Sequence, residues 1–322
     1  MDRVPEIDFA KGVLIFLMVM CHVTYFGFMK DVMWDVSHFV YSFHMSGFFI
    51  ISGYLLNINK DYRLYFNHLF RRIVIPYLLF NGIYCILIYI VKNYTGLATS
   101  NNNSFELSWK LLSDIILVPN STYWYLQNLA VSMCLYYVFV KFYTKSYFIS
   151  IIFSVIAILF VNGLYDGYNV FYAICFIAGA ILRRNGIKIT VFFYPSFISL
   201  LLMFILAFYC KLSFSLYASA IMTVLGLSVL FKIYEKADES KIVRFFTLLG
   251  YNTLSLVVFS SYFTGIMKNL FNFGSGWMSI IGGILSLFVA VSFSLLIAKI
   301  FDICKLSSIV FGVKSLYHPI KK

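Results

Sequence analysis

Charge is what this sequence has least of. Only 12% of its 322 residues are Asp, Glu, Lys or Arg, against about 25% in an ordinary soluble domain. With 61% hydrophobic and 20% aromatic residues, so little charge excludes a soluble globular protein and predicts an integral membrane protein with many spans. Acidic residues are the scarcer sign, 13 against 25 basic ones, for a net charge of +12. The basic residues sit in short loops between apolar runs, where such a bias reports topology, so nucleic acid is not an expected partner. The six cysteines form no CxxC pair and no Cys/His spacing suited to zinc. They read as small apolar residues, and no metal is expected. No A-x-A-like cleavage site follows the first apolar run, which predicts a retained first helix. No internal repeat stands out, and no extramembrane catalytic domain is visible. Chemistry is therefore expected within one membrane domain over residues 1–322.

What the chain does have is a series of apolar runs. About 20 residues cross a bilayer as a helix, within a range of roughly 17–25. Ten candidates are read: 12–28, 38–56, 73–92, 122–140, 147–163, 168–182, 190–209, 215–232, 249–268 and 277–299. The predicted fold is all-α and polytopic, with about ten transmembrane helices and both termini on one side. Placing that side in the cytoplasm puts 20 of the 25 lysines and arginines inside; the exceptions are Lys30, Lys92, Lys110, Lys211 and Lys268. That is the asymmetry of a cytoplasmic N-terminus. The outer loop 93–121 is polar at first, and its second half, "WKLLSDIILVP", suits an amphipathic interfacial helix. The inner loop 233–248 is of mixed charge and reads as a solvated connector.

Ionisable groups at bilayer depth are costly and mark candidate functional sites. Lys11 and His22 bracket the first apolar run. Eleven positions at 3.6 residues per turn bring them back to one helix face, roughly 16 Å apart along the axis. Asp8, three residues before Lys11, is close enough to pair with it. His44 in "HFVYSFHMSGFFIISGY" stands six residues inside the outer end of the second span, and His22 six inside that of the first. The two imidazoles are thus expected at similar depth on neighbouring antiparallel helices. A hydrogen-bonded packing role for each histidine is the plain alternative, and bis-imidazole haem ligation is another.

Arg71 and Arg72 precede the third span, with His68 nearby and Pro76 in the first turn, where proline is tolerated. They serve either as ordinary positive-inside anchors or, with His68 and Lys11, as a basic mouth for an anionic group, since guanidinium forks hold phosphate well. At the start of the fourth span, Tyr123, Trp124 and Tyr125 fit an aromatic belt. Gln127 and Asn128 lie about one turn deeper and are candidates to bind an acceptor or to pack helices. "SGY" at 52–54, with Ser52, suits a close helix contact. A basic mouth inside and a neutral imidazole near the outer side, able to act as general base, together fit an acyl thioester of coenzyme A threaded between them.

The stretches "IDFAKGVLIFLMVMCH" (7–22), "YSFHMSGFFIISGYLL" (41–56), "RRIVIPY" (71–77) and "WYLQNL" (124–129) resemble the acyltransferase-3 family of membrane acyltransferases, in particular its sugar O-acetylase branch, the fucose 4-O-acetylase-like proteins. The resemblance implies a ten-helix bundle in the bacterial cytoplasmic membrane. Its activity would move an acyl group, usually acetyl from acetyl-CoA, to an extracytoplasmic surface polysaccharide or lipid-linked sugar precursor. It assigns the essential basic residue of an Arg-x10-His motif to Lys11, the essential histidine to His22, and the basic pair to Arg71 and Arg72. Two positions depart from the pattern. Lys11 stands where arginine is common and lacks its fork, and Ser46 stands where proline often follows "FHM". The residues also leave open a transporter or flippase of a polysaccharide precursor, and a structural or sensory partner in a polysaccharide synthase complex. The absence of a visible repeat or of matched broken segments counts against transport.

Overall fold

The chain starts with a helix whose N-terminus is written into its first turn. Pro5 occupies a position where its missing N–H costs nothing, and Glu6 and Asp8 complement the positive end of the helix. This helix, α1, runs Pro5–His22. In the computed structural model, which describes residues 4–25, 28–95, 113, 115–142, 146–165, 167–237, 240–270 and 277–319, helix follows helix, with no strand among the described residues. The others are α2 (Phe28–Tyr41), α3 (His44–Tyr54), α4 (Tyr62–Leu69), α5 (Ile75–Thr95), α6 (Tyr123–Phe142), α7 (Tyr147–Leu164) and α8 (Val170–Arg184). They continue as α9 (Ile189–Phe192), α10 (Ile198–Tyr209), α11 (Leu216–Ala237), α12 (Lys241–Tyr251), α13 (Thr253–Leu270), α14 (Trp277–Ile303) and α15 (Leu306–Val310). Among the described residues four helices are long and apolar enough to cross a membrane, or five if the bent pair α12–α13 counts as one span.

Several expected spans are built differently from the sequence reading. The second, 38–56, is broken after Tyr41: Phe43 leaves helical geometry at φ −136°, and α3 begins afresh at His44. The Ser42 hydroxyl bonds the Phe39 carbonyl at 2.6 Å, a local bond that competes with the helical ladder. What reads as a connection between the first two spans is the amphipathic helix α2. The loop 57–77 is also mostly helix, because α4 continues into α5 through a π-turn over Phe70–Val74. Pro76 cannot donate to the Arg72 carbonyl, and the wider turn, closed by the Ile75 N–H on the Phe70 carbonyl, accommodates it. In 190–209, the "YPS" at Tyr194–Ser196 separates α9 from α10. The expected span 249–268 bends by 87° between α12 and α13.

The solvated connector expected at 233–248 is not one. α11 extends to Ala237, and α12 starts at Lys241 with the Ser240 hydroxyl accepting from the Val243 N–H at 3.1 Å, an N-cap that satisfies one end group. The apolar residues of α12 then dock on α1: Phe246 meets Phe9 and Phe16 with ring centroids 6.1 and 5.5 Å apart. Mixed charge described only its exposed face. Most of the loop 93–121, including most of its expected interfacial helix, lies outside the described residues.

By internal contacts the chain divides into two compact units. The first comprises 1–57, 171–303 and 315–322. Its core is α1, packed against α3, α11, α12, α13 and α14, with Leu14, Ile15 and Val19 fully buried. Phe259 and Phe263 of α13 meet Phe301 and Phe293 of α14. The segment after α15 returns to this unit: Asp302 accepts from the Ser315 hydroxyl and the Leu316 and Tyr317 N–H groups at 2.7–2.9 Å. The second unit comprises 58–170 and 304–314. There α4 and the π-turn lie on α6, where Tyr65 stacks on Tyr137 at 3.7 Å, and α6 packs on α7.

Candidate active site

The site is best built outward from α1. The helix is continuous from Lys11 to His22, so the two residues share a face as their spacing requires. Lys11 forms an ion pair with Asp8 at 2.8 Å, their side chains only 18% and 11% exposed. The backbones of α1 and α12 come together around this pair. A Cβ at Gly12 would collide with the Phe246 carbonyl, and one at Gly250 with the Asp8 carbonyl. Lys11 is therefore a half-buried cation already shared with a carboxylate.

At the far end, His22 closes α1. His44 opens α3 and is completely buried. Its Nδ1 lies 2.8 Å from the Val40 carbonyl. A carbonyl can only accept, so Nδ1 carries the proton and Nε2 a lone pair. That Nε2 is buried and has no hydrogen-bond partner among the described residues. Such an orphan acceptor is costly in a packed interior, which makes it a candidate for a role beyond packing. The His44 and His22 imidazoles are close enough to interact electrostatically, so the break at Ser42–Phe43 has not separated them. The Tyr41 ring stands edge-on to His44 at 4.8 Å.

Ser46 has a use of its own. Its hydroxyl bonds Thr223 of α11 at 2.5 Å and the Phe43 carbonyl at 3.0 Å, a tie between helices that proline could not make. Beside Ser52, Gly53 rests on the Phe176 carbonyl of α8, and Gly179 of α8 rests on the Ile50 carbonyl. The "SGY" stretch is thus a close backbone contact, with Arg183 over the Tyr54 ring at 5.5 Å.

The other basic residues belong to the second unit. Arg71 and Arg72 project exposed from the π-turn, and the stem of Arg71 packs over Gly312, whose φ of +59° lies in the left-handed region. His68 of α4 accepts at Nδ1 from the Lys60 ammonium at 2.9 Å. Partial burial, and then the Arg72 charge, hold the Lys60 pKa below its ordinary value. Lys60 thus joins His68 and Arg72 in one basic cluster. The sequence offered little to find it by, since an eight-residue separation is proximity only because the chain turns into α4.

On α6, Tyr123 is fully buried. Gln127 donates to the Ile116 carbonyl at 3.1 Å and accepts from the Tyr165 hydroxyl at 3.0 Å. Asn128 donates to the Trp124 and Gly167 carbonyls and accepts from the Asn169 N–H at 2.8 Å. Both amides are committed to holding the loops around α6. Asn81, which the sequence did not mark, does the same for residues 115–120 through the Ile115 and Val118 carbonyls and the Asn120 N–H.

Compared with known proteins, residues 4–299 match the family model described as an acyltransferase domain, acyltransferase-3. The match runs through both units. No curated protein and no solved structure matches the chain.

Proposed function

We propose a reaction for this chain from the premise that it belongs to the acyltransferase-3 family and is a membrane acyltransferase: transfer of an acyl group, acetyl by preference, from cytoplasmic acyl-CoA to a hydroxyl of an extracytoplasmic surface polysaccharide or lipid-linked sugar. The motifs of the first 130 residues support the family's fucose 4-O-acetylase-like branch. The setting is the bacterial cytoplasmic membrane, crossed ten times, with both termini in the cytoplasm.

His22 is the general base. The acceptor oxygen attacks the thioester carbonyl as its proton passes to the unprotonated ring nitrogen of His22. The C–S bond then breaks, the proton moves from the imidazolium to the departing thiolate, and the products are an ester and free coenzyme A. His44 is a positioning residue. With Nδ1–H held by Val40, its Nε2 is available to accept the other N–H of His22 and so aim the basic nitrogen at the hydroxyl. Arg71 and Arg72 suit the donor's phosphates by charge and by their planar forks, His68 by the Nε2–H that its bond to Lys60 leaves as a donor, and Lys60 belongs with them. Lys11 is proposed as a donor contact by its charge, which Asp8 partly balances. Of the acceptor or packing candidates, Tyr123, Gln127, Asn128 and Ser52 are assigned to packing, and Trp124 to the aromatic belt.

The observation that carries this reading is the interacting histidine pair with one tautomer fixed and one buried lone pair unspent. It is tested with His22→Ala in cells that make the acceptor, scoring the acyl mass on the polymer. Acylation is expected to fall by at least ~100-fold at equal expression, the usual contribution of a general base. Wild-type acylation in that variant would sink the mechanism.

A further inference from the structure

Beside the histidine pair, α1, α2 and the start of α11 line an open cavity of about 550 Å³, within the range of small-molecule sites, roughly 300–1,000 Å³. Cys21, Trp34, Ser37, His38, Tyr41 and Ser219 contribute to its wall. None of them is among the residues assigned above to the donor or to the packing of α6.

Three observations say what it would hold. The first is polarity. Ser42 and Ser213 add further hydroxyls to those of Ser37 and Ser219, and Ser37 engages the Cys21 thiol. A second cavity in the same unit, of the same volume, is lined by Ile50, Phe171, Ile174, Phe192 and Phe193. An acyl chain or lipid tail suits that one, and a hydroxylated ligand suits the first. The second observation is Trp34, whose side chain stays 64% exposed. Its orientation is held from within α2. The His38 ring leans on the indole at 4.6 Å, and His38 Nδ1–H donates to the Trp34 carbonyl at 2.8 Å. That bond leaves His38 Nε2 as an acceptor. An open aromatic plate next to hydroxyls and a ring acceptor matches a pyranose, which has an apolar C–H face and a polar rim. The third is position. Tyr41, in the cavity wall, touches His44 edge-on at 4.8 Å, and Cys21, also in the wall, immediately precedes His22.

We infer that this cavity is the acceptor site, and that it takes a pyranosyl unit whose C–H face stacks on Trp34 while the hydroxyl to be acylated points past Tyr41 to the two imidazoles. The inference rests on the reading of His22 and His44 as the transfer centre, and it adds the place of the acceptor and a specificity residue, Trp34.

The test uses the full chain purified in detergent and a panel of methyl pyranosides (glucosides, galactosides, fucosides and N-acetylglucosaminides), read by saturation-transfer difference NMR. At least one pyranoside is expected to bind, with saturation strongest on the protons of one ring face. Trp34→Ala is expected to weaken that binding at least tenfold, and Trp34→Phe to retain most of it. Comparable size-exclusion profiles establish that each variant is folded. Two results overturn the inference: no pyranoside binding to the wild type, or Trp34→Ala binding as the wild type does. Trp34-dependent binding together with undiminished polymer acylation in His22→Ala would support the saccharide site while refuting the catalytic role of the histidine, so the two failures are distinct.

Discussion

At the scale of single residues, one hydrogen bond sets the chemistry of His44. Because Val40 accepts from Nδ1, replacing His44 by Asn, whose amide can reach the same carbonyl, keeps the bond and deletes the Nε2 lone pair. His44→Asn is expected to unfold at close to the wild-type temperature and to transfer acyl groups ~100-fold more slowly. Transfer at the wild-type rate would leave His44 a packing residue. Lys11 poses the opposite problem, since its charge is already paired. Removing one member of a pair as sheltered as Lys11–Asp8 leaves an uncompensated charge and costs about 3 kcal/mol. Lys11→Met should therefore lose about that much stability, while Lys11→Arg keeps the pair and Lys11→Met with Asp8→Asn recovers most of the loss. Thermal unfolding of the four proteins checks it. A double variant as unstable as Lys11→Met would show that the lysine contributes through packing alone.

Among the elements, the crossing of α1 and α12 holds the basic end of α1 in place. The atoms that oppose a Cβ at Gly12 and Gly250 are backbone carbonyls, which cannot rotate aside, so even a methyl group must part the helices. Gly250→Ala is expected to cost about 1–3 kcal/mol. Gly163 near the end of α7 has nothing within 4 Å of its would-be Cβ, so Gly163→Ala should be neutral or stabilising by up to about 1 kcal/mol. Unfolding midpoints in detergent distinguish the two, and equal shifts would show that the crossing tolerates expansion. The same helix α12 ends at the 87° bend, where Asn252 bonds the Leu248 carbonyl at 2.7 Å and clasps His318 through its N–H and carbonyl at 2.8 and 3.0 Å. The bend is thus braced by the returning C-terminal segment.

For the whole molecule, the distribution of 25 basic residues is the argument for orientation. A C-terminal green fluorescent protein fusion is expected to fluoresce, and a C-terminal alkaline phosphatase fusion to be inactive, because both report a cytoplasmic end. The reverse pattern would require an odd number of crossings or an outside N-terminus. The family match over 4–299 spans both compact units, so the acyltransferase assignment belongs to the chain as a whole and not to one of its parts.

The helical membrane class and the family were legible in the sequence because they depend on local quantities. Apolar length decides membrane residence, and the spacing of Lys11 and His22 is a property of one helix. The family could be named from motifs in the first 130 residues for the same reason. The breaks were less legible. Nothing in hydropathy marks Ser42–Phe43 or Asn252, where side chains take over backbone hydrogen bonds, and α2 and α12 read as connections because amphipathic helices average out to polar. Only tertiary structure decided that Gln127 and Asn128 are spent on loops, that Lys60 meets His68, and that the Nε2 of His44 finds no partner among the described residues. Those outcomes depend on which groups distant parts of the chain bring within 3 Å of one another, and no single segment carries that information.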